Sequence, residues 1–417
     1  MSSIKRSIAV ASFIAVAASF LLCGYEFIRS PSNTLFQKAY GAENLPLVMS
    51  LVIPGTLLVL YVYGRLLSYF GPRRTLIMTT LISGLLLSAC HYAIKNGSDI
   101  TTIFLYVLRE VYIILVIEQY WSYINSSLSE ADAKKLNGPI VGIASLGAIL
   151  GGYLVSELAV PLGTHSMLVF GAASTVPAAI FSDLAYRYGG EPKRHASECH
   201  MQNSSVASGG HLALGLFKSS RVLLILFFLI MVTQVMSAVL SLEFQSRLQV
   251  EIPDLDKQTA YSGGFFSLLN TFAALLQFAV APILLKFVPV FLVQVAIPLF
   301  HLAAISYLAI APTLASAGLA YMLFKVFDYS IFRASKEILY IPLSFSARYR
   351  AKEVIDFFGY RFSKGGISLI LAIFKNAGFA IASAYTWIAL ASSLIWFMLV
   401  LPLFSDKKRE TLAEAGD

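Results

Sequence analysis

The chain has 417 residues, 57% of them hydrophobic and 13% charged, with a formal net charge of +8. Its apolar residues recur in runs of about 20, the length that crosses a ~30 Å hydrocarbon core as a helix, and a water-soluble domain of this size cannot bury so many such runs in one core. The composition predicts an all-α, polytopic membrane protein; the basic residues lie between the runs rather than on a solvated domain, so the charge is assigned to topology and nucleic acid is excluded as a partner.

Hydropathy places helices over 7–28, 46–68, 75–94, 100–124, 138–160 and 165–186, and a second set over 222–243, 262–286, 288–311, 313–334, 362–383 and 385–404. This twelve-helix, six-plus-six pattern predicts an N-terminal half over 1–188 and a C-terminal half over 218–417, with the polar, aperiodic stretch 189–217 as a cytoplasmic linker. Lys5 and Arg6 before a run ending at Cys23 imitate a signal peptide, but Leu22 precedes the cysteine where a small residue is required, so the run is expected to stay as the first transmembrane helix. Cys23, Cys90 and Cys199 have no metal or redox spacing.

Lysine and arginine are distributed asymmetrically. With the N-terminus inside, only Arg29, Lys38, Lys95, Arg247, Lys257 and Lys375 fall toward the outside, which predicts both termini in the cytoplasm. The loop after the second helix, from Gly64 through Gly71 to Arg73-Arg74, resembles the Gly-x-Leu-x-Asp-x-x-Gly-Arg-Arg loop of the major facilitator superfamily, with Ser68 in place of the acid and Pro72 in place of the first arginine. In the fifth helix Gly138, Gly142, Gly147, Gly151 and Gly152 provide small residues that let neighbouring backbones approach.

Charges inside apolar runs are costly and mark functional candidates. Arg29 lies three residues after Glu26, so a local ion pair competes with substrate binding. Arg109 and Glu110 lie inside the fourth helix, of which Glu110 is the candidate; Glu243 and Arg247 close the seventh; Lys325 and Asp328 lie within the tenth. Arg361 and Lys364 begin the eleventh on one α-helical face, and Asp356 precedes them. Such a positive pair suits a phosphate-bearing substrate if it faces a cavity; snorkelling to the interface is the other reading. The sequence carries no P-loop, no histidine cluster at ligand spacing and no nucleophile constellation, so neither enzyme activity nor a cofactor or metal is expected.

The blocks Tyr40 to Pro46, the Glu110 helix, Leu242 to Arg247 and, above all, Lys336-Glu-Ile-Leu-Tyr-Ile-Pro-Leu343 with Ala351 to Asp356 and Lys364-Gly-Gly366 resemble the non-mitochondrial ATP:ADP antiporter family of plastids and intracellular bacteria and its wider bacterial relatives. The resemblance implies that Glu110, Glu243 and Lys364 match charged membrane residues on which transport depends. Family members that exchange ATP for ADP tend to carry Lys-Asp after the first helix; Ser32-Asn33 stand there in this chain, so that feature does not carry over. The resulting expectation is a secondary transporter in a bacterial cytoplasmic membrane that moves nucleotides, or a related phosphorylated small molecule, by alternating-access exchange. Its substrate-binding candidates are Lys364, Arg361, Glu110, Glu243, Arg29 and Asp356, and its alternative is a proton-coupled carrier of another small metabolite using Glu110 or Glu243.

Overall fold

A computed structural model describes residues 3–128, 130–190, 221–340 and 355–414, and every regular element among them is helical. Hydrocarbon offers the backbone no partners, so apolar runs satisfy their own N–H and C=O groups as helices. The helices are α1 Ser3–Tyr40, α2 Leu45–Lys95, α3 Ile100–Ser127, α4 Glu130–Leu162, α5 Thr164–Gly189, α6 Arg221–Glu251, α7 Leu255–Leu275, α8 Ala281–Phe287, α9 Val290–Ile310, α10 Leu314–Phe327, α11 Arg333–Tyr340, α12 Ser363–Asn376 and α13 Tyr385–Glu414. Three wider π turns interrupt the series: Leu276–Val280 between α7 and α8, Asp328–Phe332 between α10 and α11, and Ile355–Phe362 before α12. Nine helical stretches among the described residues are long and apolar enough to cross a membrane, so the protein is a multi-pass membrane protein. The linker expected over 189–217 lies, apart from its first two residues, outside the described residues.

The run expected over 362–383 is α-helical only to Asn376 and is broken at Gly378 (φ 90°), and the first two helices also differ from the hydropathy reading. The first helix does not end at residue 28; α1 continues through Pro31 to Tyr40. Proline removes one backbone donor, and here hydroxyls bond back around it, Ser32 Oγ to the Arg29 carbonyl at 3.0 Å and Thr34 Oγ1 to the Ser30 carbonyl at 3.2 Å. The runs over 46–68 and 75–94 join as α2, which bends at Gly71 (φ 74°, ψ 171°), a left-handed conformation that glycine adopts without a Cβ penalty. Beyond the bend Arg73 binds Asp183 of α5 at 2.6 Å, and Arg187 binds the same carboxylate at 2.7 Å, so the basic loop ties α2 to α5.

The chain gathers into two compact units. The first contains α1 to α5 together with Gln249–Thr271, the end of α6 and most of α7. Its core packs Leu21 and Ile28 of α1 against Leu87 of α2, Leu105 and Tyr112 of α3, and Leu168 of α5. Helix α4 lies close to α1 because Gly147 and Gly151 leave room for the backbones of Ser19 and Cys23, and Gly152 does the same for Gly263 and Ser267 of α7. The second unit contains α6 up to Leu248 and the described elements from Phe272 onward. Leu223, Leu226 and Ile230 of α6 meet Tyr340 and Ile355 there, and Trp396 of α13 packs edge-on against Phe332, centroids 4.9 Å apart.

Candidate functional site

The extension of α1 beyond residue 28 carries much of the first unit's polar chemistry. Ser30, Ser32, Thr34 and Gln37 are fully buried, so this polar stretch is lined by protein rather than lipid. Arg109 of α3 reaches it with a guanidinium fork: Nη1 donates to Asn33 Oδ1 at 2.6 Å, Ser32 Oγ at 3.1 Å and the Arg29 carbonyl at 3.4 Å. Its Nη2 donates to the carboxylate of adjacent Glu110, and its face lies 4.1 Å from the Tyr106 ring centroid. A buried cation requires this much compensation, which the planar guanidinium provides better than an ammonium would.

Glu26 stands on the other side of Arg29 and is 2% exposed. Its Oε1 accepts from Arg29 Nη1 at 3.4 Å and from Asn270 Nδ2 of α7 at 3.0 Å. Its Oε2 is buried with no hydrogen-bond partner among the described residues. The Arg29 guanidinium lies 3.5 Å from the Phe266 ring centroid, a cation–π contact also supplied by α7.

Beyond that pair α7 is fastened to the first unit along its first half. Ser267 Oγ donates to the Ile149 carbonyl of α4 at 2.8 Å, and Thr259 Oγ1 lies 2.7 Å from Thr34 Oγ1 and 2.9 Å from Thr164 Oγ1. Asp256 Oδ1 accepts from both the backbone N–H and the hydroxyl of Thr164, each at 2.7 Å. A polar cleft of about 630 Å³ opens beside this zip, lined by Lys38, His165, Gln249, Asp254 and Gln258 among others.

The second unit holds the other candidates. Glu243 of α6 is 3% exposed and pairs with Arg247 at 2.9 Å; Arg247 also donates to the Pro312 carbonyl at 2.7 Å. Lys336 of α11 is equally buried, with Nζ 3.1 Å from the Tyr360 hydroxyl and 5.0 Å from that ring's centroid. Lys364 is half-buried in the first turn of α12. Arg361 and Asp356 lie in the π turn Ile355–Phe362, and their side chains are outside the described residues. A π turn is closed by i→i+5 bonds and winds more residues per turn, so the three-residue spacing from Arg361 to Lys364 does not have the α-helical phase that a shared face assumes.

Of the expected site residues, Arg29 and Glu110 are brought together in the first unit through Arg109, while Glu243 and Lys364 are in the second. The local pairs Glu26–Arg29 and Glu243–Arg247 form as their spacing predicts. Arg109, Asn270 and Lys336 were not among the expected site residues. The rule that selects Glu110, a charge within an apolar run, selects Arg109 equally and reaches Lys336 near the end of another; Asn270 is neutral and has no such signal.

The family profile described as Major Facilitator Superfamily matches residues 8–332, and that of the TLC ATP/ADP transporter matches residues 270–406. Among curated proteins none matches. The fold is similar to that of the nucleoside transporter NupG, at TM-score 0.66 and 13% identity over 95% of this chain and 98% of that one. It is also similar to a D-xylose-proton symporter, at TM-score 0.66 and 14% identity over 94% and 98% of the two chains. A bacterial homologue of the iron transporter ferroportin in its inward-facing state gives TM-score 0.67 and 12% identity over 97% and 99%.

Proposed function

Because the chain belongs to the Major Facilitator Superfamily, a family of membrane transporters, we propose that it exchanges nucleotides across a bacterial cytoplasmic membrane by alternating access. The observation that carries this reading is the TLC ATP/ADP transporter match over 270–406, which encloses Lys336 to Leu343, Ala351 to Asp356 and Lys364 to Gly366, the stretch that the residues alone single out. The proposed topology has twelve spans, counting α2 as two about Gly71 and the interrupted runs 314–340 and 355–376 as one each, with both termini cytoplasmic. Residues 1–188 and 218–417 form the two halves, and 189–217 the linker.

Lys364 and Arg361 are the proposed phosphate contacts, since an ammonium and a guanidinium both donate charge-assisted bonds to phosphate oxygens. Arg29, held over Phe266, is a third cation available to an anionic substrate. Glu110 and Glu243 would balance these cations when no substrate is bound, and Asp356 would steady the segment leading to Arg361. Exchange would keep these cations in contact with an anion during both crossings of the membrane.

The test is uptake of labelled nucleotides by cells expressing the chain, with a panel of unlabelled competitors and with or without an internal nucleotide pool. Saturable uptake that nucleotides inhibit and an internal pool accelerates is the expected result. No saturable uptake of any nucleotide would overturn the substrate assignment, and uptake indifferent to the pool would overturn exchange.

A further inference from the structure

We propose that Glu26 is a proton-binding site, loaded while Asn270 of α7 holds its other oxygen and emptied when that contact opens. The inference deepens the transport reading and rests on it for its consequence. Glu26 has one oxygen that accepts from Asn270 at 3.0 Å and Arg29 at 3.4 Å, and a second, Oε2, that is buried and receives no donor among the described residues. A carboxylate oxygen enclosed without a donor is an expensive arrangement, and a proton on Oε2 is the smallest change that removes the charge causing it. Loading is simple protonation from water: one O–H bond forms on Oε2, and the same bond breaks on release.

The surroundings fix what this proton does. On α1 itself the charged or titratable neighbours are Arg29, Tyr25 and Cys23, and α3 contributes Arg109 and Glu110. The face of α7 presents neutral Asn270 and the Phe266 ring. The nearby faces of α4 and α5 are small or apolar, with Gly151 against Cys23 and with Gly171 and Phe170 against Phe27. Glu26, Arg29, Arg109 and Glu110, all ionised, sum to zero (two positive, two negative); with Glu26 protonated the group is +1. Proton and anionic substrate therefore favour each other's binding, because the proton adds one positive charge where a phosphate-bearing solute is to be attracted.

Asn270 links the site to a movable contact. It lies one residue inside the boundary at Thr271 between the two compact units, and the π turn Leu276–Val280 follows less than two helical turns later. If the first half of α7 lifts from α1, α4 and α5, Glu26 loses its neutral donor and the Phe266 ring leaves Arg29, so water reaches the carboxyl and the proton can depart.

Two measurements test the proposal on the full-length protein. In pH-difference infrared spectra of purified carrier, wild type should show a carboxylic-acid carbonyl band that disappears on raising pH. Glu26→Gln should lack this band while Glu110→Gln retains it; no band in wild type, or a band that survives in Glu26→Gln, overturns the proposal whatever the substrate is. In liposomes loaded with unlabelled ADP and a pH-sensitive dye, wild type should admit protons as labelled ADP exchanges inward, and an inward proton gradient should raise that labelled uptake about tenfold. Glu26→Gln should abolish the proton signal and flatten the pH profile, and Glu26→Asp should restore part of both. Labelled ADP uptake without a proton signal overturns the proposed coupling. No ADP transport together with the expected infrared band removes the nucleotide reading and leaves the proton site standing.

Discussion

Arg109 of α3 donates a hydrogen bond to the Asn33 side-chain oxygen of α1 at 2.6 Å, 76 residues away in sequence. Asn33 and its neighbour Ser32 stand where the ATP/ADP exchangers that this chain resembles tend to carry Lys-Asp, so in this chain those positions hold an arginine from another helix. Asn33→Ala removes a neutral acceptor from a buried cation and should cost about 1.5–3 kcal/mol. Arg109→Ala strips its partners of a buried charge and should cost about 3 kcal/mol or more, whereas Asn33→Asp keeps an acceptor and should fold. Thermal unfolding in detergent can be read by labelling of buried Cys90 in a Cys23→Ser, Cys199→Ser background. Equal melting of Arg109→Ala and wild type would contradict the packing role.

Lys364 is tested by ligand series. If its ammonium meets a phosphate, Lys364→Ala should weaken mono-, di- and triphosphates by roughly ten- to a hundredfold and spare the nucleoside. Lys364→Arg should keep part of the affinity, because charge survives while geometry changes. Competition at equal membrane abundance reads both, and equal losses across the series would remove Lys364 from the site.

The glycines of α4 predict effects of opposite sign. An added Cβ at Gly147 or Gly151 would meet backbone atoms of Ser19 or Cys23, which cannot rotate away, so Gly147→Ala and Gly151→Ala should destabilise by about 1–3 kcal/mol. Gly138 has nothing within 4 Å, and Gly138→Ala in the same helix should be neutral or stabilising by up to about 1 kcal/mol. Melting of the three variants side by side checks the contrast.

If the first half of α7 must leave the first unit during transport, tethering it should stop the cycle. The Thr34 and Thr259 hydroxyl oxygens are 2.7 Å apart, so a Thr34→Cys, Thr259→Cys variant free of other cysteines would put two thiols at this contact for oxidation to a disulfide. Oxidation should reduce uptake at least tenfold and a reductant should restore it. Full activity of the cross-linked protein would show that this contact stays closed throughout.

Topology is checked by reporter fusions. Those after Lys95 and Lys257 should report from outside and one after His200 from inside, following the lysine and arginine asymmetry. A fusion after His200 that reports from the periplasm would break the six-plus-six arrangement.

The apolar runs are legible in the sequence because a bilayer leaves their backbone one way to satisfy itself. The local ion pairs are legible because three- and four-residue spacings put side chains on neighbouring turns. The end of α1 is not: Ser30, Pro31, Ser32 and Asn33 read as the start of a loop, and only their burial by other helices keeps the segment helical. Arg109 carries the same local signal as Glu110, and its reach to Asn33 depends on that hidden extension. The phase of Arg361 against Lys364 depends on a π turn, which hydropathy does not register.

The buried polar end of α1 also constrains how the protein is made. Among the described helices α1 is synthesised first, yet Thr34 meets Thr259 only after another 225 residues have been added. At about 5–20 residues per second, that partner arrives roughly 10–45 s later. Until then Glu26, Arg29 and the hydroxyls of Ser30, Ser32 and Thr34 would face acyl chains if α1 were released into lipid alone, a costly exposure for charged and polar groups. The helix must therefore wait beside the translocation machinery, or travel with α3 to α5 already against it, so insertion proceeds by groups of helices rather than one span at a time.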